Sequence, residues 1–197
     1  PLPIDPQPRT FAEGGPKLQC TTEGNLLTAH SSRVNFTFDK SSGLVTSYKV
    51  KGTEYFNEGF GIQPNFWRAP NDNDYGSQEP KRLQIWKESS RNFKVVDATL
   101  TMDGEDAVLK ASYLLAAGNL YIATYRTHPS GVVKADYIFT STEMAAAETE
   151  VSEATRLATF TPGNEALRKE SSKLVVPRIG VRFRLPANMN QVTYFGR

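Results

Sequence analysis

Val34-Asn-Phe36-Thr-Phe38-Asp-Lys40-Ser-Ser-Gly43-Leu44-Val45-Thr-Ser-Tyr48-Lys-Val50 is the stretch whose reading decides the fold class. Val34, Phe36 and Phe38 alternate with Asn35 and Thr37, a period of two rather than 3.6. Such a strand buries one face and solvates the other. Lys40-Ser-Ser-Gly43 breaks the run as a turn, and Leu44 to Val50 follows as a second strand. Lys51-Gly52 then marks another turn, so the punctuation is that of a hairpin or meander.

Working outward, the same grammar recurs. Residues 93–102, 107–115, 119–127, 132–140 and 175–185 read as strands. Asp-Gly, Ala-Gly-Asn, Pro-Ser-Gly and Pro-Gly signals separate them. Val133, Ala135, Tyr137 and Phe139 alternate with Lys134, Asp136 and Ile138, as one buried and one solvated face of an antiparallel sheet require. Many short strands with turns between them predict an all-β fold, an antiparallel β-sandwich with at most one or two short helices. One helix is expected at Pro80 to Glu88, where Pro stands near a first-turn position. The stretch from Thr142 to Leu157 is helical by its Ala and Glu content and strand-like by Thr149, Val151 and Thr155, and both readings stand. Residues 158–172 read as a loop. The first 16 residues hold five prolines and read as a linker or arm, leaving 17–197 as the sandwich domain.

Composition narrows the function. The chain has 197 residues, 39% hydrophobic and 22% charged, which suits a folded domain and not a disordered one. Its 23 Lys+Arg against 21 Asp+Glu give a net charge of +2, no electrostatic footprint for nucleic acid. Arg178, Arg182 and Arg184 alternate with Ile179, Val181 and Phe183 as one solvated strand face. The acidic stretch Glu143, Glu148, Glu150 and Glu153 is a candidate counterpart. No apolar run approaches the roughly 18–20 residues of a membrane-spanning helix. Cys20 is the one cysteine and reads as a small core hydrophobe, and His30 and His128 have no partner at metal-ligand spacing. Asn35-Phe-Thr37 fits a glycosylation sequon but sits inside a strand.

The chemistry-bearing segment is Asn57 to Gly76. It places Phe60, Phe66, Trp67 and Tyr75 beside Arg68, Asn71, Asp72, Asn73 and Asp74. Rings that pack on a pyranose face, with Asp, Asn and Arg to bond its hydroxyls, are the tools of sugar recognition. The same residues also stop strands and build Asx-turns, with Arg68 pairing to Asp72 or Asp74. Asp72 and Asp74 stand next but one on a single segment, a poor arrangement for the two carboxylates of a glycosidase.

Phe66-Trp67-Arg68-Ala69-Pro70-Asn71-Asp72-Asn73-Asp74-Tyr75-Gly76 resembles the F-x-R-A-P-x-D-N-D-x-G motif of large bacterial β-galactosidases of glycoside hydrolase family 2. Pro177-Arg-Ile-Gly-Val-Arg-Phe-Arg-Leu185 and Val192-Thr-Tyr-Phe-Gly-Arg197 are similar to two strands of the same C-terminal domain, and Val34 to Tyr55 resembles its opening hairpin. The resemblance implies a galactose-mutarotase-like sandwich of which this chain is the truncated N-terminal half. It implies a parent that hydrolyses terminal β-D-galactose with retention, its two catalytic glutamates lying on a separate barrel. No catalytic residue and no metal ligand then belong to this chain. Mg and Na ions are an option for the parent alone. Arg68, Asn71, Asp72, Asn73, Asp74 and Gly76 are the candidate pocket residues. Gly76 is expected to hinge a mobile loop, Gly76 to Pro80, through access to positive φ. The expected partners are a β-galactoside and other domains of the same polypeptide, with a homo-oligomer left open and neither nucleic acid nor membrane. The compartment, cytoplasmic or periplasmic, stays open for what is expected to be a soluble protein. Two other readings compete: a stand-alone carbohydrate-binding module and a structural interface domain.

Overall fold

The computed structural model describes residues 14–115, 118–140 and 176–190. The ambiguous stretch 142–157, the loop 158–172, the strand at 192–197 and most of the arm at 1–16 lie outside them.

The alternating stretch forms β3 (Val34–Asp39) and β4 (Leu44–Val50), joined by the expected turn. Asp39 holds that turn, its carboxylate accepting from the Ser41 N–H at 2.8 Å and the Ser41 hydroxyl at 2.6 Å. β1 (Gln19–Glu23), β2 (Leu26–His30) and β5 (Thr53–Glu54) complete a five-stranded antiparallel meander in the order β1-β2-β3-β4-β5. A second meander pairs β7 (Phe93–Asp103), β8 (Asp106–Leu115), β9 (Leu120–Thr127) and β10 (Val133–Thr140). These match the expected strands within a residue or two at each end.

Two β-bulges reconcile the register with the apolar pattern. Phe36 pairs with Tyr48 and Phe38 with Val45, so Thr46 is the extra residue. The bulge switches parity, letting Val45 on one side of it and Tyr48 on the other face the same core. In β7, Val95 pairs with Tyr113 and Asp97 with Ser112, so Val96 bulges and the inward set passes from Phe93 and Val95 to Ala98 and Leu100.

The two meanders pack face to face as a sandwich. Phe36 meets Tyr125 across the layers at 5.5 Å between ring centroids, and Phe38 meets Tyr113 at 6.5 Å, edge to face. Two glycines are demanded by this packing. Gly43 has φ +70°, and a Cβ there would press on Phe93, Val95 and Tyr113. At Gly61 a Cβ would overlap the Val45 carbonyl.

The connection between the sheets positions the motif. β6 (Gln63–Asn65) pairs antiparallel with β11 (Gly180–Arg182), a strand shorter than the 175–185 expected. Three short helices follow: α1 (Asp72–Gly76), α2 (Glu79–Arg82) and α3 (Gln84–Ser89). The expectation of at most one or two short helices is thus corrected to three among the described residues. The predicted helix at 80–88 is interrupted at Leu83, and the Asn-Asp run, read as loop, makes a helical turn because it caps itself. Phe66, Leu83 and Trp86 anchor the connection in the sandwich core. Of β10's predicted inward residues, Val133, Tyr137 and Phe139 pack on that core, whereas Ala135 is exposed.

Candidate functional site

The site begins where the chain leaves the core. Phe66 is fully buried, edge to face with Tyr121 at 5.3 Å. Its N–H donates to the Ser90 hydroxyl at 2.7 Å, and that hydroxyl donates to the Trp86 carbonyl at 2.9 Å. The strand entering the motif is therefore tied to the end of α3. Trp67, next in line, is half-buried and packs on the core.

Beyond Trp67 one carboxylate organises the segment. Arg68 Nη1 and Nη2 donate to the two oxygens of Asp74 at 2.5 and 2.8 Å, a bidentate fork. Asp74 Oδ2 also accepts from the Asn71 N–H at 2.8 Å, while Asn71 Oδ1 accepts from the Asp74 N–H at 3.1 Å. This is a reciprocal capping box at the start of α1. Of the two pairings open in the sequence, Arg68 takes Asp74. The Arg68 guanidinium, followed by the Asn71 N–H, holds the Asp74 carboxyl at about 2, well below its usual 3.8. A carboxylate so held is ionised near neutral pH and is no proton donor.

The remaining candidates divide by exposure. Asp74 is buried, whereas Arg68, Asn71, Asp72, Asn73 and Gly76 are exposed and Tyr75 is 64% exposed. Asp72 and Asp74 thus play different parts, one facing solvent and one locked. The adjoining depression is lined by Trp67, Arg68, Pro70, Asp74, Glu79, Pro80, Leu83 and Pro177, and it has room for little more than a water molecule. Asp72 and Tyr75 stand outside it. The structure therefore joins Arg68, Asn71 and Asp74 into one unit and leaves Asp72, Asn73 and Tyr75 as a separate outward face.

Gly76 does not adopt the expected conformation. It closes α1 without a positive φ and with open space where a Cβ would stand. The left-handed residue of this turn is Gln78, at φ 56° and ψ 23°, and it begins α2. The positive φ expected of the glycine thus falls on Gln78, which pattern reading missed because the residue type gives no sign of it.

Other sequence candidates resolve into structure. Asn35 donates from within β3 to the Thr37 and Ser47 hydroxyls at 3.1 and 3.4 Å. Cys20 is half-buried 3.4 Å from the Met102 sulfur, and burial pushes its thiol up, away from a reactive thiolate. His128 bonds the Ser130 hydroxyl at 2.8 Å within its turn. Among the described residues, no three His, Cys, Asp or Glu side chains group so as to hold a metal ion. Nor does any helix among them have the length and apolarity to cross a membrane.

Residues 30–197 match the family described as the β-galactosidase small chain. The chain belongs to that family. Of its relatives, a β-galactosidase of Priestia megaterium is 27% identical over 181 residues, 90% of this chain and 14% of the relative. A β-galactosidase of Kluyveromyces lactis is 38% identical over 61 residues, 31% of this chain and 6% of the relative. This small-chain domain thus spans a minor part of the length of the curated relatives it matches. A β-galactosidase parentage is consistent with the glycoside hydrolase reading of the motif. In this small-chain domain the motif's Arg68 and Asp74 form its rigid base.

Proposed function

We propose that this small-chain domain is a non-catalytic part of a retaining β-galactosidase acting on terminal β-D-galactose. Its segment from Arg68 to Gly76 borders a sugar pocket that other domains of the polypeptide complete. One observation carries the reading. The Arg68–Asp74 fork spends the segment's buried carboxylate on rigidity, while Asp72, Asn73 and Tyr75 face outward beside a depression too small for a sugar ring. A preorganised polar face without a cavity of its own is suited to completing a site, not to forming one. Covalent galactosyl transfer needs two opposed carboxylates. With Asp74 locked, this segment offers one free aspartate, and the reaction's acid and nucleophile are assigned to the parent. The reading gives this domain no cofactor, and assigns any Mg or Na ions to the parent.

The test has two arms. The purified chain is expected to leave a chromogenic β-galactoside intact, and its hydrolysis would overturn the non-catalytic role. In the full-length polypeptide, Asp72→Ala with Asn73→Ala is expected to lower kcat/KM by about tenfold with little change in stability. Unchanged kinetics would remove the segment from the pocket.

A further inference from the structure

Arginine is gathered on one side of β11 with no matching acid among the described residues. Arg184 Cζ lies 4.4 Å from the centroid of the Phe60 ring, and Arg182 Cζ lies 5.7 Å from it. Both guanidinium groups are thus set against one aromatic ring. With its carboxamide oxygen turned toward Arg182, Gln63 accepts from Arg182 Nε and Nη2. The Arg178 guanidinium lies over Gly180, its Nε 3.3 Å from where a Cβ would stand. Arg91, just beyond the end of α3, is near enough for its charge to act on Arg182. Partial burial, and then the charges of Arg91 and Arg184, lower the proton affinity of Arg182. Among the described residues the ion pairs are Arg68–Asp74, Arg126–Asp103, Arg126–Asp106 and Lys134–Asp136, and none involves these four arginines.

Like charges held against a shared ring repel one another, and an anion between them relieves that repulsion. We propose that Arg182 and Arg184, set around Phe60, form together with the nearby charge of Arg91 a docking site for an acidic protein segment that presents two or more carboxylates. The donor chemistry favours this occupant. Guanidinium forks match planar carboxylates bidentately, as Arg68 does with Asp74 in this molecule. The arginines are exposed and line none of the described depressions, so a single small ion would gain little against screening by salt. Several carboxylates on one chain bind by effective concentration instead.

The full 197-residue chain is titrated with a fluorescein-labelled hexaglutamate peptide, read by anisotropy at 20 and 300 mM NaCl. Saturable binding that weakens at least tenfold in the higher salt is expected. Arg182→Ala with Arg184→Ala should weaken it at least tenfold, and Arg91→Ala severalfold. Lys49→Ala with Lys94→Ala, which removes the same charge elsewhere, should leave it unchanged. Far-UV circular dichroism confirms that each variant is folded. Absence of binding overturns the proposal, as does equal loss in the lysine variant. Inorganic sulfate or a short DNA duplex competing more strongly than the peptide, charge for charge, would also overturn it by making the cluster a site for free oxyanions or for phosphate backbone.

Discussion

Asp74 shows how one side chain decides whether a sequence reads as chemistry or as structure. Its carboxylate takes the Arg68 fork and the Asn71 N–H together, which is why it sits far below the usual carboxylate range. A carboxyl whose folded-state pKa is depressed stabilises the fold above its unfolded value and ceases to do so as pH falls through the folded one. Here that window runs from the usual 3.8 down to about 2. Urea denaturation should therefore find Asp74→Asn less stable than the parent chain at pH 7, with the gap closing between pH 4 and pH 2. A gap that persists at pH 2 would mean that the fork is not its source. Tyr121 illustrates the opposite case. Its hydroxyl is buried with no hydrogen-bond partner among the described residues. Tyr121→Phe removes an unmet desolvation cost and should raise stability by about 1 kcal/mol in the same assay. A loss of similar size would reveal a bond formed through water.

At the scale of elements, the turn between α1 and α2 departs most from pattern reading. Glycine is the residue that signals a left-handed turn, yet here the left-handed residue is Gln78 and the glycine is helical. Gln78→Gly should stabilise the chain by roughly 0.5–1 kcal/mol by relieving that backbone. Gly76→Ala should also be neutral or stabilising by up to about 0.5 kcal/mol, since its backbone is helical and its surroundings open. Thermal melts of the two variants check both. A clear drop for Gly76→Ala would restore the glycine hinge. The long strands were legible because their alternation survives for many residues, as in β8, where Ala107, Leu109, Ala111, Tyr113 and Leu115 are all buried. β1, β2 and β6 were not, because Gln19–Glu23 carries little apolar pattern and Gln63-Pro-Asn65 is too short to show any.

For the whole molecule, stability rests on aromatic contact between the two meanders. Phe38 is fully buried against Tyr113, and the Tyr113 hydroxyl donates to the Gly43 carbonyl at 3.1 Å, linking the opening hairpin to the opposite sheet. Phe38→Ala should cost about 3–5 kcal/mol and lower both sheets' unfolding together. Coincident far-UV and near-UV transitions would show this, whereas separate transitions would mean that the sheets fold independently. The motif from Phe66 to Gly76 was legible as a unit, and so was its family, because the spacing of Arg, Pro, Asp and Gly is preserved in the linear chain. The sequence by itself determined the strand period, the turns, the all-β class and the family. These are local properties, set by neighbours two to four residues apart. Only the tertiary structure decided which aspartate Arg68 binds, that the bulges at Thr46 and Val96 bring mismatched apolar patterns to one core, and that Arg182 and Arg184 meet over Phe60. Each of those outcomes depends on how backbone and side chains pack in three dimensions, which the period of the sequence does not fix.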